Sequence, residues 1–160
     1  MITQEELESI FVKGLGKDRG LVIAQDIIQG IYDVDNLLVA CLNNNHTVAM
    51  KCSWVLHAAQ QLQPDLLDGK VKNCIEILED SPVSGVRREA LKMIIALFPW
   101  SKAVEKELVE LCSFLLESDE TATAEKYFSM KIMAKLRDDF PLNLAISNYF
   151  SYMLFKDFLI

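Results

Sequence analysis

The sequence predicts an all-α protein, a right-handed α-α superhelix (solenoid) of about three helix pairs behind an N-terminal cap. Three observations predict this class. Apolar residues recur at helical spacing along most of the 160-residue chain. One apolar pattern repeats at a nearly constant interval, as it does in proteins built from stacked repeats. No stretch alternates apolar and polar residues with β-branched enrichment, so strands are not expected.

The repeated pattern is clearest in VRREALKMIIALF, residues 86–98. Its apolar residues fall at i, i+4, i+7, i+8 and i+11, so they share one helix face. VAMKCSWVLHAAQQLQP and EKYFSMKIMAKLRDDFP have the same offsets, and a proline closes each of the three segments. The three stripes are Val48, Cys52, Val55, Leu56 and Ala59; Val86, Ala90, Met93, Ile94 and Leu97; and Glu125, Ser129, Ile132, Met133 and Leu136.

A second helical pattern follows each stripe, after a turn marked by proline. The unit is therefore a helix pair with a period of about 38 residues, which is typical of HEAT and armadillo repeats. We assign the repeats to residues 46–80, 84–118 and 121–158, within a single domain that spans residues 1–160.

Residues 1–45 fit the repeat loosely, and we interpret them as a degenerate N-terminal cap. TQEELESIFVKG and DRGLVIAQDIIQG each predict a helix that ends at glycine. DVDNLLVACLN predicts a shorter helix with Asp33 as its N-cap. The first residues lack a signal-peptide pattern, and no apolar run approaches the roughly 18 residues of a membrane span. We expect a cytoplasmic protein that does not enter a membrane.

The composition disfavours several kinds of site. The net charge is −7 and the only local basic group is Arg87, Arg88 and Lys92, so nucleic acid is not the expected partner. The four cysteines contain no C-x-x-C and lie in apolar helical patterns, which indicates buried thiols rather than disulfides. The two histidines, His46 and His57, lack zinc spacing, so we expect no metal and no cofactor.

Four segments carry a further resemblance: CSWVLHAAQQLQPDLL, VRREALKMI, LCSFLL and AEKYFSMKIMAKLRDDFP. Across roughly residues 46–142 the chain resembles a group of small bacterial HEAT-repeat proteins, mostly from Bacteroidetes. Those proteins have an S-W-V-L segment followed by a P-x-L-L turn, a V-x-R-x-A-L helix, and a late helix ending in Tyr-Pro or Phe-Pro. The resemblance implies a HEAT-like fold, and it implies no function or site.

The candidate binding surface lies on a second face of the helix at residues 47–62 and on the equivalent faces of the next repeats. One interpretation of Trp54 is that it packs between repeats; the other is that it anchors a partner, since tryptophan is enriched in binding hot spots. The predicted groove mixes aromatic and basic side chains, and its members are Trp54, His57, Arg88, Lys92, Tyr127 and Lys131.

The C-terminal segment NYFSYMLFKDFLI is apolar on nearly every side, whereas terminal repeats normally present a polar outer face. Three interpretations remain open. The tail covers the last repeat, the natural chain continues further, or an exposed patch with Phe155, Phe158 and Leu159 binds a partner or a second copy as a homodimer.

The sequence favours a non-catalytic scaffold or adaptor that binds a protein or peptide along the groove. Catalytic residues are not predicted, because the adjacent acidic pairs lie at helix ends or turns and no Ser/His/Asp arrangement stands out. The alternative is a HEAT-like nucleic-acid-binding module or a DNA glycosylase-like repair enzyme. A charge-lined groove that holds a buried carboxylate with a perturbed pKa would favour that alternative.

Overall fold

The computed structural model describes residues 9–11 and 17–136. All regular structure in these residues is helical, which confirms the all-α class. Residues 9–11 are helical, and none of the described helices is long and apolar enough to cross a bilayer. The longer described helices are α1 (Lys17–Ile28), α2 (Val34–Ala40), α3 (His46–Leu62), α4 (Val71–Asp80), α5 (Ser84–Ala96), α6 (Lys102–Glu117) and α7 (Thr123–Leu136).

The chain divides into two compact units, residues 1–100 and residues 101–160. In the first unit α3 packs against α1, α2 and α5, and α4 packs mainly against α5. In the second unit α6 packs against α7. The boundary between the units falls between α5 and α6, inside the predicted repeat at 84–118. The prediction that the whole chain forms one solenoid domain stays a prediction.

Side-chain caps explain where several helices begin. The Asp33 carboxylate accepts from the N–H of Asn36 at 3.0 Å, which confirms it as the N-cap of α2. Asn45 caps α3 and Ser101 caps α6 by the same chemistry. The chain leaves α1 through Gly30, whose φ of 75° lies in the left-handed region that favours glycine.

The three predicted stripes are buried, which confirms their helical spacing. Every stripe residue of α3 and α7 is at most 2% exposed, and in the α5 stripe only Leu97, at the helix end, is half-buried. The four cysteines are also buried, and none of them forms a disulfide. Each fully buried aliphatic side chain contributes roughly 1.5–3 kcal/mol of transfer free energy, so the aliphatic members of these stripes stabilise the packed helices.

Two glycines let α3 approach its neighbours closely. A Cβ atom on Gly20 of α1 would lie 1.9 Å from the Trp54 ring, and one on Gly85 of α5 would lie 2.4 Å from Sδ of Met50. Trp54 and Met50, both on α3, therefore occupy the space that a larger residue would need. A side chain at Gly20 would push α1 away from the Trp54 ring, whereas one at Gly85 meets only the flexible end of Met50.

Candidate functional site

The candidate site is built around the carboxylate of Glu89, in the middle of α5. Its Oε2 lies 2.9 Å from Nδ1 of His57, which projects from α3. Its Oε1 accepts from Nη2 of Arg88 at 3.1 Å and from Nζ of Lys92 at 2.9 Å. The structure thus gathers three of the six predicted groove residues, and the residue that joins them was not among the six. We call His57, Arg88, Glu89 and Lys92 the Glu89 cluster.

Local helix geometry places Glu89 on the buried side of α5. It follows Val86 by three residues, and positions i and i+3 lie on the same side of a helix. The stripe offsets that we used began with i+4, so they left this position out. The corresponding position of α3 holds Lys51, which also turns inward and donates to the carbonyl oxygen of Phe11 at 2.5 Å. The sequence did contain a signal for an inward-facing charge, namely a charged residue three positions after the first residue of a stripe.

Side-chain exposure within the Glu89 cluster increases from the carboxylate outward. Glu89 is 1% exposed and His57 is 13% exposed, whereas Lys92 is 25% and Arg88 is 39% exposed. The negative group therefore lies beneath the positive groups, and the cations meet the solvent. The Glu89 cluster thus places one anion beneath two cations, on a chain whose net charge is −7.

The environment keeps Glu89 ionised. Burial by itself would raise the pKa of this carboxyl group, because it removes water from the charged form. Hydrogen bonds from His57 and Lys92, together with their positive charge, outweigh that effect and lower the pKa to about 2. Glu89 is consequently a permanent anion at neutral pH, and its chemical role is to orient donors.

The imidazole of His57 has a defined orientation. Because Nδ1 donates to a carboxylate, Nε2 is the ring nitrogen that is left for other contacts. One turn further along α3, the Gln60 side chain donates from Nε2 to the Met93 carbonyl at 3.3 Å. Its Oε1 has no hydrogen-bond partner among the described residues. Two polar contacts therefore join α3 to α5 along one face.

Trp54 lies one turn before His57 on α3, so the two side chains are neighbours on that helix. Its ring packs against the backbone of α1 at Gly20, and the residue as a whole is half-buried. The direct contact matches the packing interpretation of Trp54. Because part of Trp54 remains exposed, its role as an anchor for a partner stays a prediction.

Tyr127 and Lys131 belong to the unit of residues 101–160, and both lie on α7. Nζ of Lys131 lies 4.7 Å from the Tyr127 ring centroid and 5.7 Å from that of Phe128. The two rings meet edge to face with centroids 5.1 Å apart, and Tyr127 is 48% exposed. These residues form a cation–π cluster within their own unit. Whether one groove includes them and the Glu89 cluster stays a prediction.

Other predicted features have separate outcomes. Phe155, Phe158 and Leu159 lie outside the described residues. His46 is the first residue of α3. Among residues 9–11 and 17–136, no three or more of the His, Cys, Asp and Glu side chains come together as a group that could hold a metal ion.

Comparison of the chain with known protein families, with curated proteins and with solved structures gives no match. The class of protein therefore has to be described from the fold and the Glu89 cluster. It is an all-helical protein with a buried carboxylate that holds two cations and a histidine at the surface of its first unit.

Proposed function

We propose that this chain is a non-catalytic, HEAT-like scaffold or adaptor that binds a protein or peptide partner. The partner lies against the faces of α3 and α5 that carry Trp54 and the Glu89 cluster. The observation that supports this proposal is the buried Glu89 carboxylate, which holds His57, Arg88 and Lys92 in fixed positions at the surface. Donors that are ordered in advance lose less conformational entropy when a partner binds.

The chemistry of the Glu89 cluster supports binding over catalysis. A general acid or base works best when its pKa lies near the operating pH. The pKa of Glu89 is instead lowered to about 2, so this carboxyl group neither gains nor releases a proton near neutrality. The types of side chain also match a binding surface, since tryptophan, tyrosine and arginine dominate interface hot spots. The cytoplasmic location that we propose agrees with the four cysteines, none of which forms a disulfide.

The test is a tagged pull-down from host lysate, with and without nuclease, followed by identification of the captured protein. The dissociation constant of that partner is then measured against wild type, Trp54→Ala and Arg88→Gln. Lys106→Gln on α6 is the control, because it removes one positive charge from an exposed position outside the Glu89 cluster. The proposal is supported if a protein is captured after nuclease treatment and its binding is weakened by Trp54→Ala or by Arg88→Gln but not by Lys106→Gln. If neither Trp54→Ala nor Arg88→Gln changes the dissociation constant of the partner, the binding surface lies elsewhere on the chain.

A second candidate, a HEAT-like nucleic-acid-binding module or repair enzyme, is favoured by one observation. A buried carboxylate with a perturbed pKa does lie beside two cations, and Trp54 is on the neighbouring helix. The lowered pKa and the net charge of −7 argue against it, because phosphate binding requires several clustered cations. Titration of a labelled DNA duplex at low salt decides the matter: a shift with salt-dependent affinity would replace the scaffold proposal.

A further inference from the structure

We infer that a depression at the turn between α1 and α2 binds the ammonium group of a lysine side chain from a basic peptide segment. The depression has a volume of about 470 Å³, and it is lined by Ile27 and by residues 30–35 of the first unit. Volumes of roughly 300–1,000 Å³ are typical of ligand sites. The inference goes beyond the proposed function and does not depend on it, because none of these residues belongs to the Glu89 cluster.

The charge at the depression is negative. Its lining includes two carboxylates, Asp33 at the N-cap of α2 and Asp35 in the first turn. Nζ of Lys70 lies 2.6 Å from Oδ1 of Asp35, whereas Asp33 pairs with no described cation. One lysine therefore balances one of the two carboxylates. The remaining full negative charge exceeds the roughly half positive charge that a helix carries at its N-terminus. A cation from a partner would complete the balance.

The free acceptors in the lining favour an ammonium group. Oδ1 of Asp33 accepts from the N–H of Asn36 at 3.0 Å, and Oδ1 of Asp35 is held by Lys70. The two Oδ2 atoms accept no hydrogen bond from residues 9–11 or 17–136. An ammonium group has three donors that can serve two separate carboxylates, whereas a guanidinium pairs best with both oxygens of one carboxylate. The depression therefore suits lysine better than arginine.

Tyr32 adds a polar group that lacks a partner. The residue is 8% exposed and lines the depression, and its hydroxyl makes no hydrogen bond to a described residue. Burial, and then the negative charge of Asp26, raise the pKa of Tyr32 against the opposing effect of Arg19, so the hydroxyl stays protonated and neutral. Buried polar groups normally have a hydrogen-bond partner. The Tyr32 oxygen can accept from an ammonium group, and an aromatic ring also attracts a cation.

The apolar part of the lining matches the alkyl chain of lysine. Ile31 is 48% exposed, so part of its side chain is open to contact, and Ile27 and Val34 also line the depression. Lysine buries its four-carbon chain along apolar surface while its charged end contacts polar groups. A metal ion would gain nothing from such a wall, because it requires several oxygen, nitrogen or sulfur ligands. The mixed lining therefore favours an amine on an alkyl chain.

The experiment titrates the isotope-labelled full chain at low salt with a capped glutamine decapeptide that carries two central lysines. NMR follows the amide shifts of residues 27–35. One comparison peptide replaces the lysines by norleucine, which keeps the alkyl chain without the charge, and another replaces them by arginine. Free putrescine, with the same two positive charges, is the third comparison probe.

Two variants test the site. Asp33→Asn removes one negative charge and keeps an N-cap, since asparagine caps a helix as well as aspartate does. Glu110→Gln removes one negative charge from an exposed position on α6, in the second unit, and is the control. We expect the lysine peptide to shift the amides of residues 27–35 and Asp33→Asn to weaken its binding by about fivefold. Glu110→Gln should change the dissociation constant by less than about twofold.

Several results would overturn the inference. They are unchanged amide shifts at residues 27–35, equal weakening by Asp33→Asn and Glu110→Gln, or equally tight binding of the norleucine peptide. Tighter binding of the arginine peptide would reject the choice of lysine, and tighter binding of putrescine would assign the depression to a free polyamine. Circular dichroism of each variant confirms that it folds, so that lost binding is assigned to the site.

Discussion

His57 donates from Nδ1 to Oε2 of Glu89 over 2.9 Å, and this hydrogen bond links α3 to α5. The two helices belong to different predicted repeats, so the contact is made by tertiary packing. It converts two scattered polar residues into one site, because the same carboxylate also orders Arg88 and Lys92. The stability of the first unit and the arrangement of its surface cations therefore depend on one buried group.

Replacement of Glu89 by alanine should destabilise the first unit more than any exposed acidic substitution. The change leaves three donors without their common acceptor, and we expect a loss of about 2–4 kcal/mol in the free energy of unfolding. The loss stays below that of a fully buried pair because Arg88 and Lys92 regain water. Urea denaturation measures it, with Glu76→Ala on the exposed side of α4 as the control. Equal effects of the two substitutions would show that the Glu89 cluster contributes nothing to stability.

The stabilisation by Glu89 should disappear in acid. Its pKa is lowered in the folded chain from 4.5 to about 2, so its contribution is fully present above pH 4.5 and is lost as the pH falls towards 2. The full shift corresponds to about 3 kcal/mol. The free energy of unfolding of wild type and Glu89→Gln, measured from about pH 6 to about pH 2, should converge at the acidic end. A difference that stays constant over this range would contradict the lowered pKa.

Gly20→Ala should cost more stability than Gly85→Ala. The new methyl group on α1 meets the rigid ring of Trp54, whereas the one on α5 meets the flexible end of Met50. We expect a loss of about 1–3 kcal/mol for Gly20→Ala. Gly85→Ala should change stability little, since alanine favours the helix by about 1 kcal/mol over glycine.

The Trp54→Leu background provides the check on that prediction. Thermal or urea unfolding of the double variant Gly20→Ala/Trp54→Leu should show that the cost of the alanine shrinks, because the ring that opposes it is gone. An unchanged cost in this background would place the strain elsewhere in α1.

The thiols of Cys41, Cys74 and Cys112 should resist alkylation while the chain is folded. Burial raises the pKa of the Cys74 and Cys112 thiols to about 12, and it raises that of Cys41 well above its ordinary value. The reactive thiolate is therefore scarce as well as inaccessible. Mass spectrometry after brief treatment with iodoacetamide should find these cysteines unmodified without denaturant and modified with it. Modification of any one at the same rate in both conditions would place that thiol at the surface.

The helices and their buried faces were predictable from the sequence because both follow from local spacing. The stripes that begin at Val48, Val86 and Glu125 were read from offsets alone, and the structure buries them. Asp33 was predicted as an N-cap for the same reason, since a cap depends on the next three residues. The burial of the cysteines followed from their places within apolar patterns.

The site itself was decided by tertiary structure. The sequence supplied His57, Arg88 and Lys92 as surface candidates, but their common partner Glu89 depends on how α3 and α5 pack, which no local pattern specifies. Likewise, the ring of Trp54 meets α1 only because Gly20 lacks a side chain there. Local spacing thus determined which residues form helices and which faces are buried. Only the packing of one helix against another determined which charges share a carboxylate.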